Sequence, residues 1–105
     1  MHQIILCTYP DQKSAEHIAE HLISHKLAAC INIIAGVTSI YEWRGQIEKS
    51  QEHQMIIKSH SDKYSEIEGT IKSLHPYELP EIIAVPIERG HPDYLQWINT
   101  CLSTK

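Results

Sequence analysis

The chain has 105 residues and a mass of 12.1 kDa, with 42% apolar and 21% charged residues, the range of one ordinary globular domain over 1–105. Nine Lys and Arg against thirteen Asp and Glu give a formal charge of −4, which argues against nucleic acid as the main partner. Eight His beside three Cys and no Phe is the oddity of the composition, and it admits metal binding, a response to pH, or neither.

Residues 4–7 form a short apolar run closed by Pro10 and Asp11, which predicts a first strand buried on both faces. From Ser14 the period changes: Ala15, Ile18, Ala19, Leu22 and Ile23 lay one apolar stripe along a helix, opposite Glu16, His17, Glu20, His21 and His25. Residues 27–41, rich in Ile, Val and Ala, predict a second strand with a bulge at Gly36. A turn at 42–45 leads into a third strand over 46–59, so the two strands make a long hairpin. Ser61 is the expected cap of a second helix carrying Tyr64, Ile67, Ile71 and Leu74, ended by Pro76. Residues 82–87 read as a short strand between Pro80 and Pro86, and Pro92 opens a last helix with Leu95, Ile98, Cys101 and Leu102 on one face.

The order β-α-β-β-α-β plus a C-terminal helix is the α+β, ferredoxin-like split βαβ arrangement, an antiparallel sheet with helices on one face. A strand of fourteen residues at about 3.3 Å each reaches roughly 45 Å, while a domain of this size is about 25–30 Å across. The hairpin therefore overhangs its own core. Its tip carries Ile40, Tyr41 and Trp43, and an overhang with apolar side chains and open edges predicts pairing with further copies of the chain.

Cys7, Cys30 and Cys101 are odd in number and lack a C-x-x-C, so neither a disulfide framework nor a zinc finger is signalled, and a reducing cytoplasm fits. The opening MHQIILCTYP has no basic segment ahead of a long apolar run, and no stretch reaches the length of a membrane span, so neither a secretory leader nor a membrane partner is expected.

The stretches LCTYPD, KLAACINIIAGVTSIYEWRGQIE, MIIKS and HPYELPEIIAVPI resemble, in order and spacing, the CutA family of divalent-cation-tolerance proteins. The resemblance covers nearly the whole chain. It implies a cytoplasmic, very stable homotrimer, related in architecture to the PII signalling proteins, that binds copper(II) or other divalent cations and has no established reaction. It also implies metal ligands at Cys7, in LCTYP, and at His75, in SLHPY; Leu74 stands where copper-binding members carry a second His.

Each candidate also has a structural reading. Cys7 in a buried strand can pack as a small hydrophobe, as can Cys30 and Cys101. His75 before Pro76 can satisfy the end of a helix. His17, His21 and His25 recur every four residues, a spacing that can chelate a transition metal or simply solvate a helix face. His2, His53, His60 and His91 show no ligand spacing. Lys58, Tyr77, Glu78 and Glu81 stand near strand ends, and Trp43 and Arg44 tip the hairpin. In a trimer these segments can meet at inter-subunit clefts, where PII-like proteins bind small anionic ligands, so a PII-like module sensing a small metabolite or partner, with metal incidental, is the alternative function. The plainer reading makes Tyr41, Trp43 and Tyr77 interface anchors. No hydrolase, Walker or dinucleotide motif occurs, so an enzyme is not expected. An RNA-recognition module is disfavoured by the missing aromatic strand signature.

Overall fold

The computed structural model describes residues 1–103 as β1 (His2–Tyr9), α1 (Gln12–Ser24), β2 (Cys30–Trp43), β3 (Gln46–His60), α2 (Tyr64–Leu74), β4 (Ile83–Pro86) and α3 (Pro92–Leu102). Among these residues four strands form one sheet in the order β2-β3-β1-β4, antiparallel at every pairing. This is the α+β, ferredoxin-like arrangement that the sequence predicts, with β1 at the centre between β3 and the short edge strand β4.

Strand alternation sends Ile5, Cys7 and Tyr9 of β1 and Met55, Ile57 and Ser59 of β3 to one face. There α1 contributes Ala15, Ile18 and Leu22, and α2 contributes Ile67 and Ile71. Full burial of each Ile or Leu contributes about 1.5–3 kcal/mol. The Ser59 hydroxyl, fully buried among them, donates to the Leu27 carbonyl at 2.6 Å and so avoids an unpaired polar group in the core.

The other face corrects two expectations, that β1 is buried on both sides and that the helices share one face of the sheet. α3 lies over this face, where His2 meets Asn99 and the Lys58 ammonium sits 5.9 Å from the Tyr94 ring centre, and it buries Ile98 and Leu102. Beyond it Ile4, Leu6 and Ile56 are half-buried, and Ile34, Ile83 and Val85 are exposed, so the centre of this face has apolar side chains and no covering helix among the described residues.

Local chemistry sets the ends. Asp11 caps α1 by accepting the Ser14 N–H at 2.7 Å, so the helix starts at Gln12 rather than Ser14. After α1 the chain passes through Lys26 at φ +58°, with the Leu27 N–H returned to Leu22 O, and β2 begins at Cys30 rather than Leu27. Ser61, the expected cap of the second helix, instead opens a 3-10 turn over Ser61–Lys63, and the His60 ring accepts the Asp62 N–H at 3.1 Å. Pro92 holds the first turn of α3 as predicted, with His91 as its cap.

The hairpin turn tightens to two residues. Arg44 at φ +53° and Gly45 at φ +81° give the left-handed pair that matches the twist of the strands. Ile34 faces Gln54 and Val37 faces Glu52, so Ala35 and Gly36 together oppose His53; Gly36 takes φ +77°, the bulge expected there. The hairpin stretches the molecule to 46 × 26 × 22 Å. On its projecting half Ile40 is 64% and Ile47 82% exposed.

Candidate functional site

Cys7 sits mid-way along β1, opposite Met55, and is fully buried. Its Sγ lies 3.8 Å from the Thr8 carbonyl oxygen. Burial, reinforced by the negative charges of Glu81 and Glu52, pushes the thiol up to about 12, so it is protonated at neutral pH.

His75 terminates α2. Its N–H still bonds Ile71 O at 2.8 Å, but its backbone is extended (φ −81°, ψ 138°), as a residue before proline must be. The ring lies between Tyr9 and Tyr77, with centroid distances of 4.1 and 4.7 Å. Nδ1 accepts the Tyr77 N–H at 3.0 Å, which places the proton on Nε2, and Nε2 donates to the Thr8 carbonyl at 2.6 Å. Burial holds the ring below the ordinary histidine value, while the Thr8 carbonyl and the Glu52 charge pull the other way.

The two candidate ligands are therefore brought together. Cys7 Sγ and His75 Nε2 converge on one carbonyl oxygen, each with its hydrogen toward it. A cation placed there meets a thiol, an imidazole and a carbonyl, but only after the thiol loses its proton and the ring gives up both its hydrogen bonds. Among the described residues no group of three or more His, Cys, Asp or Glu side chains is arranged to hold a metal ion. As it stands, the pair does not fit a closed copper site within one chain.

On α1, two of the three helical histidines meet as a stacked pair. His21 and His25 stack with centroids 4.0 Å apart and planes 22° from parallel, and His25 Nδ1 donates to His21 O at 2.9 Å. Cys30 and Cys101 are half-buried free thiols.

A residue that sequence reasoning missed stands beside this pair. Glu52 is only 7% exposed, and its Oε2 accepts the Tyr77 hydroxyl at 2.6 Å. The bulge at Gly36 lies next to it and keeps Glu52 in register with Val37. Glu52 opens onto a groove of about 800 Å³ between the hairpin and the segment 76–81, lined by Thr8, Tyr41, Trp43, Glu52, Tyr77 and Glu81 among others. Across its mouth Arg44 bonds Glu78 at 3.1 Å.

Comparison with known proteins bears directly on this arrangement. The family profile described as CutA1 divalent ion tolerance protein matches residues 3–101. The chain belongs to the CutA1 family. The divalent-cation tolerance protein CutA of Yersinia pestis (strain Pestoides F) is 40% identical over 99 residues, covering 94% of this chain and 83% of that protein. Among solved structures, the periplasmic divalent cation tolerance protein CutA from Archaeoglobus fulgidus superposes with a TM-score of 0.95 at 42% identity, covering 98% of this chain and all of that one. The stable CutA1 from the psychrotrophic bacterium Shewanella sp. SIB1 superposes at 0.94 with 43% identity, covering 98% and 96%. Membership thus extends across the sheet, the hairpin and the segment carrying His75. No described helix is long and apolar enough to cross a membrane.

Proposed function

We propose that the chain serves divalent-cation tolerance as a cytoplasmic homotrimer that binds copper(II) or a related divalent ion, in a binding rather than a catalytic role. The observation that carries the metal reading is the convergence of Cys7 Sγ and His75 Nε2 on the Thr8 carbonyl. A cation bound there displaces the thiol proton, so uptake releases protons and strengthens as pH rises. Assembly is supported by the projecting hairpin with Ile40 and Ile47 on its surface and by the open sheet face with Ile34, Ile83 and Val85. Three free thiols accord with a reducing compartment.

Calorimetric titration of copper(II) into the wild type and His75→Ala tests the ligand pair. At least a tenfold loss of affinity in His75→Ala, about 1.4 kcal/mol, supports it; unchanged affinity and stoichiometry overturn it. A His17/His21/His25 triple alanine variant in the same series identifies capture by the stacked helical rings, because loss of all binding there leaves Cys7 and His75 without a role.

A second reading, a PII-like module that takes a small metabolite with metal incidental, is favoured by one specific observation. The groove beside Glu52 is large enough for an organic ligand, whereas the thiol and imidazole are already engaged within the fold.

A further inference from the structure

The groove between the hairpin and the segment 76–81 carries an unbalanced charge. Glu42, Glu52, Glu78 and Glu81 line it, and the cation at its mouth, Arg44, is already bonded to Glu78. Glu52 is more than nine-tenths buried; Tyr77 donates to its Oε2, while its Oε1 receives no hydrogen bond among the described residues. Burial first, and the charge of Glu52 second, push the Glu81 carboxyl above the ordinary carboxylate range, against a hydrogen bond with Gln54 that pulls it down.

The remaining walls are aromatic. Tyr41, Trp43 and Tyr77 line the groove, and aromatic rings attract a cation over their faces as well as an apolar body. The chain already displays this chemistry at the mouth, where the Arg44 guanidinium lies 5.4 Å from the Trp43 ring centre while bonding a carboxylate.

We propose that this groove is a binding site for a small organic cation, an ammonium or guanidinium group carrying an apolar body, whose charge sits between Glu52 and Glu81 and whose body lies against Tyr41, Trp43 and Tyr77. The proposal rests on the second reading above and names its ligand class. Anions are repelled by the acids. A bare divalent ion lacks the three converging donors it needs among the described residues. An organic cation requires fewer: one charge-assisted hydrogen bond to the open oxygen of Glu52 and a ring to lie on.

The test is calorimetric titration of the assembled wild-type protein at pH 7 with 2-phenylethylamine, which is an ammonium at that pH, and with its neutral counterpart 2-phenylethanol. The expected result is one ammonium bound per chain, with the alcohol at least about tenfold weaker. Glu52→Gln keeps an oxygen for the Tyr77 hydroxyl and removes the charge, and Glu81→Gln changes the rim alone; each is expected to weaken the ammonium at least about tenfold. Thermal unfolding of both variants checks that they fold, and Trp43→Leu at the hairpin tip supplies a variant remote from the core that is expected to weaken both ligands. Absence of ammonium binding to the intact protein, as would follow if a basic side chain of a second copy filled the groove, overturns the proposal. So does equal binding of amine and alcohol, or unchanged affinity in both glutamine variants. His75→Ala leaves the groove acids intact, so loss of copper response with retained ammonium binding separates this site from the metal reading.

Discussion

The state of Cys7 decides whether it behaves as a core residue or an available ligand, and it has a measurable consequence. With its thiol at about 12 against 9.0 for an unperturbed one, the thiolate fraction at a given neutral pH falls about 1,000-fold. Reaction with Ellman's reagent proceeds through the thiolate, so ionisation alone slows labelling by that factor, and full burial slows it further by excluding the reagent. Cys30 and Cys101 are only half-buried. Timed labelling at pH 7.5, followed by mass spectrometry of the peptides, is expected to modify Cys30 and Cys101 first, with Cys7 appearing only on the timescale of unfolding. In guanidinium all three label together. A native-state rate for Cys7 within about tenfold of that for Cys30 would refute both the burial and the charge argument. A cation that takes up Cys7 must then also release close to one proton per site near neutral pH, which the same protein can be asked in unbuffered titration.

Three further outcomes follow from the fold. Light scattering is expected to give three times the 12.1 kDa chain mass, and Ile34→Asp, on the open sheet face, to lower it toward one chain while the far-ultraviolet spectrum is kept; a monomer in the wild type refutes assembly. Ile71→Ala, fully buried between α2 and the sheet, is expected to cost about 2–5 kcal/mol in urea unfolding, and a loss under about 1 kcal/mol shows that α2 does not pack as described. Burial holds His75 and His60 below the ordinary 6.5, so the folded state prefers both rings neutral. Their contribution is complete above 6.5 and declines as pH falls toward the depressed folded values, because the unfolded chain takes up protons first. Urea midpoints measured from pH 7.5 to 5.5 are expected to fall and to fall less in His75→Asn, which keeps an acceptor for Tyr77; an identical slope in that variant excludes His75 as a source.

Those elements that depend on periodicity were readable from residues alone. The stripes of α1, α2 and α3, the bulge at Gly36 and the overhanging hairpin follow from spacing, and each recurs in the structure. What spacing cannot give is the partner of each face. β1 reads as an unbroken apolar run, yet Ile5 and Cys7 meet helices while Ile4 and Leu6 meet only the half-open second face, because a strand's own sequence does not say how many layers cover it. Boundaries were lost for a related reason. Ser61 has the better capping chemistry by rule, but His60 lies in the extended backbone that aims its ring at the Asp62 N–H.

The same substitution of ring for cap runs through the histidines and explains why their number misleads. His60, His75 and His91 each accept, through Nδ1, the N–H of the residue two places on, at 3.1, 3.0 and 3.1 Å. This is the local bond that Asn and Asp side chains make in turns, reproduced with an imidazole. Each ring so used has one nitrogen spent on backbone, and His75 spends its second on the Thr8 carbonyl. A histidine count thus measures backbone accounting here at least as much as metal affinity. Glu52 is the converse case: one of two acids among the polar residues of β3, which sequence gives no reason to single out, yet it is buried and bonded by the Tyr77 hydroxyl. The groove it opens onto is assembled from residues 8 to 81, and only the pairing of β1 with β3, together with the return of the chain after His75, brings its acids and rings to one place.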